Sequence, residues 1–115
     1  MAFGKERNAA GSKVYEVLFP LHEIDSFNGE ELKSYIATIV DEVDVVIIDF
    51  TKIAYLNSSG LRELIQTLKL LREKYKEFYL VQLSEGIKKI FIHTNLDRLF
   101  TFYDSVSAVV EAIKD

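Results

Sequence analysis

Two hydroxyls and a glycine, Ser58, Ser59 and Gly60, follow Asn57 directly. Behind them Leu61, Leu64, Ile65, Leu68 and Leu71 recur at helical spacing. The three residues therefore fall where a helix begins. There the first backbone N–H groups lack intrahelical partners and the helix dipole presents partial positive charge, a combination that can hold an anion. A serine in this position that received a phosphoryl group would gain a charge of about −1.5 to −2 and three strong acceptor oxygens. The chemistry suggested is a charge switch on a hydroxyl. The plainer alternative is that Ser58 or Ser59 only caps the helix.

Other candidates for chemistry are sparse. His22 and His93 lie far apart, and no cysteine is present to supply a thiolate nucleophile or ligand, so no metal site is expected. Ser58 and Ser59 lack the flanking glycines of a nucleophile elbow, and no glycine-rich phosphate cradle exists. An enzyme is not expected, nor a cofactor. Arg62, Gln66 and Lys69 fall on the polar side of the helix after Gly60 and share a surface with the serine turn, which makes them candidates for partner contact.

The elements that must position this turn are legible in the apolar patterning. Residues 43–50, with Val45-Val46-Ile47-Ile48 unbroken at their centre, run on rather than alternate, as expected of a parallel strand buried on both faces. The segment Asp49-Phe50-Thr51-Lys52-Ile53-Ala54-Tyr55-Leu56 reads as the joint between that strand and a helix over residues 60–74. Before it, residues 13–19 read as a strand ended by Pro20. A helix then carries Leu32, Tyr35, Ile36, Ile39 and Val40, with Asn28 as cap and Glu31 completing a capping box. After the central helix, residues 78–83 predict another buried strand. Ser84 caps a short helix with Ile87, Ile90 and Phe91. Leu99-Phe100-Thr101-Phe102-Tyr103 reads as the last strand, and Asp104 or Ser105 caps a final helix. Residues 1–12 show no periodicity and are expected to form a flexible N-terminal segment, leaving one domain over residues 13–115. Strand and helix alternate. The expected class is α/β, with a mostly parallel central sheet of four to five strands and about four helices.

Composition excludes several functions. Charged residues make up 28% and hydrophobic residues 49% of the 115, ordinary for a folded globular domain rather than a disordered chain. The formal charge of −4 gives nothing to attract a phosphate backbone, so direct nucleic-acid binding is not expected. No apolar run approaches the roughly 20 residues of a membrane span, and no signal peptide is recognisable at the start. A cytoplasmic protein is expected.

Taken in order, the motifs resemble the STAS domain family, shared by anti-sigma factor antagonists and sulfate transporters. The likeness runs from His22-Glu23-Ile24-Asp25 through Asp49-Phe50-Thr51 and Asn57-Ser58-Ser59-Gly60-Leu61. It ends at Asn95-Leu96-Asp97-Arg98-Leu99-Phe100 and Tyr103-Asp104-Ser105. It resembles most the stand-alone bacterial antagonists. The resemblance implies an antagonist that binds an anti-sigma factor with serine kinase activity, frees the sigma factor, and lets go when Ser58 is phosphorylated. A Ser/Thr phosphatase would reset it. The implied contact residues are Glu23, Asp25, Asn57, Ser58, Ser59, Gly60, Arg62 and Gln66, with Asp25 aligned to the acidic residue that borders the site.

The sequence departs from the family pattern in four places. Asn57 stands where the family usually has Asp. His22 replaces a glycine, a glycine is missing at Lys74-Tyr75-Lys76-Glu77, and the N-terminal strand pair is abbreviated. The neutral Asn57 supports a second reading, a constitutive scaffold or ligand-sensing STAS module in which Ser58 is never modified.

Overall fold

The computed structural model describes residues 3–115. Seven strands and four helices run in the order β1 (Phe3–Ala10), β2 (Lys13–Pro20), β3 (His22–Ile24), α1 (Ser26–Ile39), β4 (Val45–Asp49), β5 (Ile53–Leu56), α2 (Ser58–Glu73), β6 (Glu77–Val81), α3 (Glu85–His93), a short 3-10 turn (Leu96–Arg98), β7 (Thr101–Tyr103) and α4 (Val106–Ile113). Five strands form one sheet in the order β1-β2-β4-β6-β7. The β1–β2 pair is antiparallel and the rest are parallel. The α/β class and the mostly parallel sheet are as expected.

The run Val45-Val46-Ile47-Ile48 explains the layering. Alternate side chains of a strand point to opposite faces. Val46 and Ile48 join the core under α1, α2 and α3, with Leu32, Ile36, Leu64, Leu68, Ile87 and Phe91. Val45 and Ile47 join a second cluster with Val109 and Ile113 of α4. Both faces are covered, so the strand can be apolar throughout. Each such side chain contributes about 1.5–3 kcal/mol relative to exposure.

Residues 3–10 are not a flexible segment but an edge strand. β1 pairs over its whole length with β2, from Phe3 opposite Pro20 to Ala10 opposite Lys13. Gly11, at φ 63°, takes the left-handed backbone of the tight turn between them. The sequence hid the strand because most of it faces water, which removes the alternation that identifies a half-buried strand. Charge pairing fixes it instead. Arg7 reaches the nearly inaccessible Glu16 of β2 at 2.6 Å and Glu42 at 2.8 Å. The hydroxyl of Tyr35 also donates to Glu16. Burial, reinforced by that carboxylate, pushes the Tyr35 phenol up to about 12, so it remains a proton donor at neutral pH.

The joint between β4 and α2 also differs from expectation. It contains strand β5, which pairs in parallel with β3 to make a second, two-stranded sheet. Helix α1 begins earlier than expected and is capped by Asp25, whose side chain accepts from the Asn28 backbone N–H at 2.8 Å. Asn28 is not the cap. Its side chain donates to the Glu23 carbonyl, and Glu31 completes no capping box. Ser84 caps α3 as expected, and Ser105, rather than Asp104, caps α4. The sixth and seventh strands are shorter than expected, ending at Val81 and beginning at Thr101.

Candidate functional site

Strands β3 and β5 lie side by side, and each hands over to a helix at its carboxyl end. Two helix starts therefore meet. Asp25 caps α1 and Asn57 caps α2, both with extended backbone and both through a side-chain oxygen that accepts an N–H three residues on. For Asn57 the donor is the Gly60 backbone, at 2.8 Å.

Gly60 locks the two starts together. A Cβ at this position would lie 2.0 Å from the Ile24 carbonyl oxygen and 3.2 Å from the Asp25 nitrogen. Only a residue without a side chain lets α2 approach the β3–α1 junction this closely. The Asn57 N–H also points to the Ile24 carbonyl, at 3.4 Å.

Neither serine is the cap. Asn57 takes that task, which leaves Ser58 as the first residue of α2, exposed, with its hydroxyl outside the capping bond. Ser59 is half-buried. Arg62 and Gln66 are exposed and stand four and eight residues beyond Ser58, so the three share one stripe of α2. Among the described residues Arg62 has no carboxylate partner within salt-bridge reach. Gln66 is drawn toward α1, accepting from Lys33 at 2.6 Å, while Lys33 also pairs with Glu63 at 2.8 Å.

The fold thus brings together Glu23 and Asp25 from one junction with Asn57, Ser58, Ser59 and Gly60 from the other. Sequence reasoning missed Tyr55. It sits opposite Glu23 in the β3–β5 register and is 56% exposed, an aromatic on the solvent side of the small sheet. No sequence signal marked it, because Ile53, Ala54, Tyr55 and Leu56 are all apolar or aromatic and only the fold buries the outer two and exposes the inner two.

Residues 13–109 match the family model of the STAS domain. The chain belongs to the STAS domain family. Among relatives of this STAS domain, the anti-sigma-B factor antagonist of Listeria monocytogenes is 31% identical over 80 residues, covering 69% of this chain and 70% of that one. Solved structures of the same fold include the anti-sigma factor antagonist SpoIIAA in its unphosphorylated form, at 20% identity and a TM-score of 0.76, with 99% of this chain and 100% of that one covered. The Bacillus SpoIIAA in its phosphorylated form follows at 19% identity and a TM-score of 0.70, covering 96% and 99%.

Two departures from the STAS pattern acquire a physical reading. His22 and Tyr75 both have left-handed backbone, at φ 67° and 59°. These are places where glycine is at no disadvantage, whereas another L-residue there costs roughly 1–2 kcal/mol. His22 and Tyr75 both carry that strain.

Proposed function

We propose that this chain is an anti-sigma factor antagonist whose binding is switched at Ser58. Unmodified, it holds an anti-sigma factor with serine kinase activity through Glu23, Asp25, Asn57, Ser58, Ser59, Gly60, Arg62 and Gln66. Phosphorylation of Ser58 by that partner ends the complex, and a Ser/Thr phosphatase restores it. The observation that carries this reading is the exposed Ser58 at the start of α2, freed from capping by Asn57. The name of the Listeria relative and the two described states of SpoIIAA point the same way.

The switch needs no refolding. A neutral hydroxyl is easily stripped of water when a partner covers it. A phosphate is not, and near the acidic Glu23 and Asp25 its burial costs several kcal/mol, which lowers affinity by a few orders of magnitude. The helix dipole would offset only about 0.3–1 kcal/mol of that. Asn57 keeps the cap oxygen without adding a charge beside the modified serine.

The experiment has two parts. Incubation with ATP and the anti-sigma kinases encoded in the same genome is expected to add one phosphate, located on Ser58 by mass spectrometry. In calorimetry Ser58→Ala is expected to keep partner binding and Ser58→Asp to lose it. No label with any such kinase leaves the constitutive scaffold as the better reading. Equal affinity of the two variants removes the charge mechanism.

A further inference from the structure

Of the four helices, only α1 and α2 begin on a serine. Ser26 opens α1 as Ser58 opens α2. In each case the residue before is the cap, so the serine is exposed and its hydroxyl stays outside the capping bond. Other serines at helix starts are engaged or placed elsewhere. The hydroxyls of Ser84 and Ser105 accept backbone N–H groups as caps, and Ser59 is half-buried. Ser107 is exposed, but on α4, across the sheet from α1 and α2. The two matching starts also touch. A Cβ on Gly60, two residues beyond Ser58, would stand 3.2 Å from the nitrogen of Asp25, the residue before Ser26. A partner that covers Ser58 therefore reaches the start of α1 as well.

We propose that Ser26 is a second phosphoryl acceptor on this surface, filled after Ser58. The inference rests on the proposed kinase partner, which supplies ATP as the donor. The Ser26 Oγ attacks the γ-phosphorus, and the bond from that phosphorus to the bridging oxygen breaks. ADP leaves, and the hydroxyl proton passes to water. Charge sets the order of the two sites. Arg62 stands one turn beyond Ser58, whereas Glu30 stands one turn beyond Ser26. Opposite charges four residues apart on a helix attract, and like charges repel. Asp25 also puts a carboxylate directly before Ser26, where Ser58 follows the neutral Asn57. A phosphate is better answered on Ser58, so that site is filled first. The first phosphate lowers affinity without ending encounters, and kinase in excess still meets the singly modified chain. Two phosphates bring about −3 to −4 of charge to a surface that already holds Glu23 and Asp25. Release is then graded rather than all-or-none.

The test uses the whole chain, ATP and the anti-sigma kinases encoded in the same genome, with phosphates located by mass spectrometry. At low kinase the native chain is expected to carry its one phosphate on Ser58. With kinase in excess and longer incubation a second is expected on Ser26. Ser58→Ala is expected to take a single phosphate, on Ser26, and Ser26→Ala a single one, on Ser58, at the native rate. The double variant is expected to take none. In calorimetry without ATP, Ser26→Asp is expected to weaken partner binding about tenfold through like charge beside Asp25, and Ser26→Ala to leave it unchanged. The two readings separate cleanly. Label on native Ser58 with none on Ser26 in Ser58→Ala overturns the second site and keeps the switch. Label on Ser26 with none on Ser58 does the reverse. Label on Ser34, Ser59 or Ser107 in place of Ser26 overturns the proposal, as does the absence of any label.

Discussion

The molecule treats negative charge in two opposite ways. At Glu16 a carboxylate is buried under α1, and its neighbours answer it with the Arg7 guanidinium and the Tyr35 hydroxyl. At Ser58 the surface is neutral, and the nearest junction contributes Asp25 rather than a set of donors. A buried charge is tolerated only when paired and hydrogen-bonded. The first region meets that condition and therefore serves as a clamp. The second does not, and so, on the proposed switch, a phosphate on Ser58 would stay on the chain and the partner covering it would leave.

The largest expected effect breaks the first half of this contrast. Arg7→Ala leaves the buried Glu16 without its cation and is expected to lower the urea midpoint more than any change below. Adding Glu16→Gln to that variant is expected to recover part of the loss, because the orphaned charge goes with it. Urea unfolding of the single and double variants checks both. Equal stability of Arg7→Ala and the native chain would mean that β1 is held by its backbone ladder alone, and that the clamp contributes little.

At the serine turn the comparison is sharpened by steric rather than electrostatic means. Gly60→Ala places a Cβ against the Ile24 carbonyl. A cost of about 2–3 kcal/mol is expected, since backbone rather than a pliable side chain must move. Asn57→Ala removes only the cap, expected to cost about 1 kcal/mol, whereas Asn57→Asp is expected to change stability by a few tenths at most. Thermal midpoints order the three. If Asn57→Asp proved as damaging as Asn57→Ala, the cap would depend on the amide itself and not on the acceptor oxygen.

That ordering also shows where sequence was informative. The continuous apolar run at residues 45–48 announced a doubly covered strand, and the helical stripe behind Gly60 announced α2, because burial writes itself into periodicity. Elements held by polar contacts left no such trace. Strand β1 depends on Arg7 meeting Glu16 across the hairpin, a pairing invisible until the register is known. Strand β5 is only four residues long with two of them exposed. Capping was ambiguous for the same reason. Asp25 and Asn28, or Asn57 and Ser58, are all good caps, and the choice between them is made by where the helix axis must point. The serine turn itself was legible through residue type, while the place of Tyr55 beside it is a product of exposure, which sequence does not record.

The smallest expected effect tests whether Ser58 is entirely without an answering charge. Arg62 lies one turn further along α2 on the same stripe, exposed and without a salt-bridge partner among the described residues. A phosphate on Ser58 would find it at the spacing where opposite charges on a helix attract by roughly 0.2–0.5 kcal/mol. Arg62→Gln is therefore expected to lower the stability of protein phosphorylated at Ser58 by about that much more than it lowers the unmodified protein. The double-mutant cycle, read by urea unfolding at low and high salt, isolates the term. Its size matters to the contrast with Glu16. On the proposed switch, a few tenths of a kcal/mol would leave the several kcal/mol of interface desolvation uncompensated, so the partner would still be released. A coupling of 2 kcal/mol or more would instead make the phosphate as well answered as the buried carboxylate, and the two regions would no longer differ in kind.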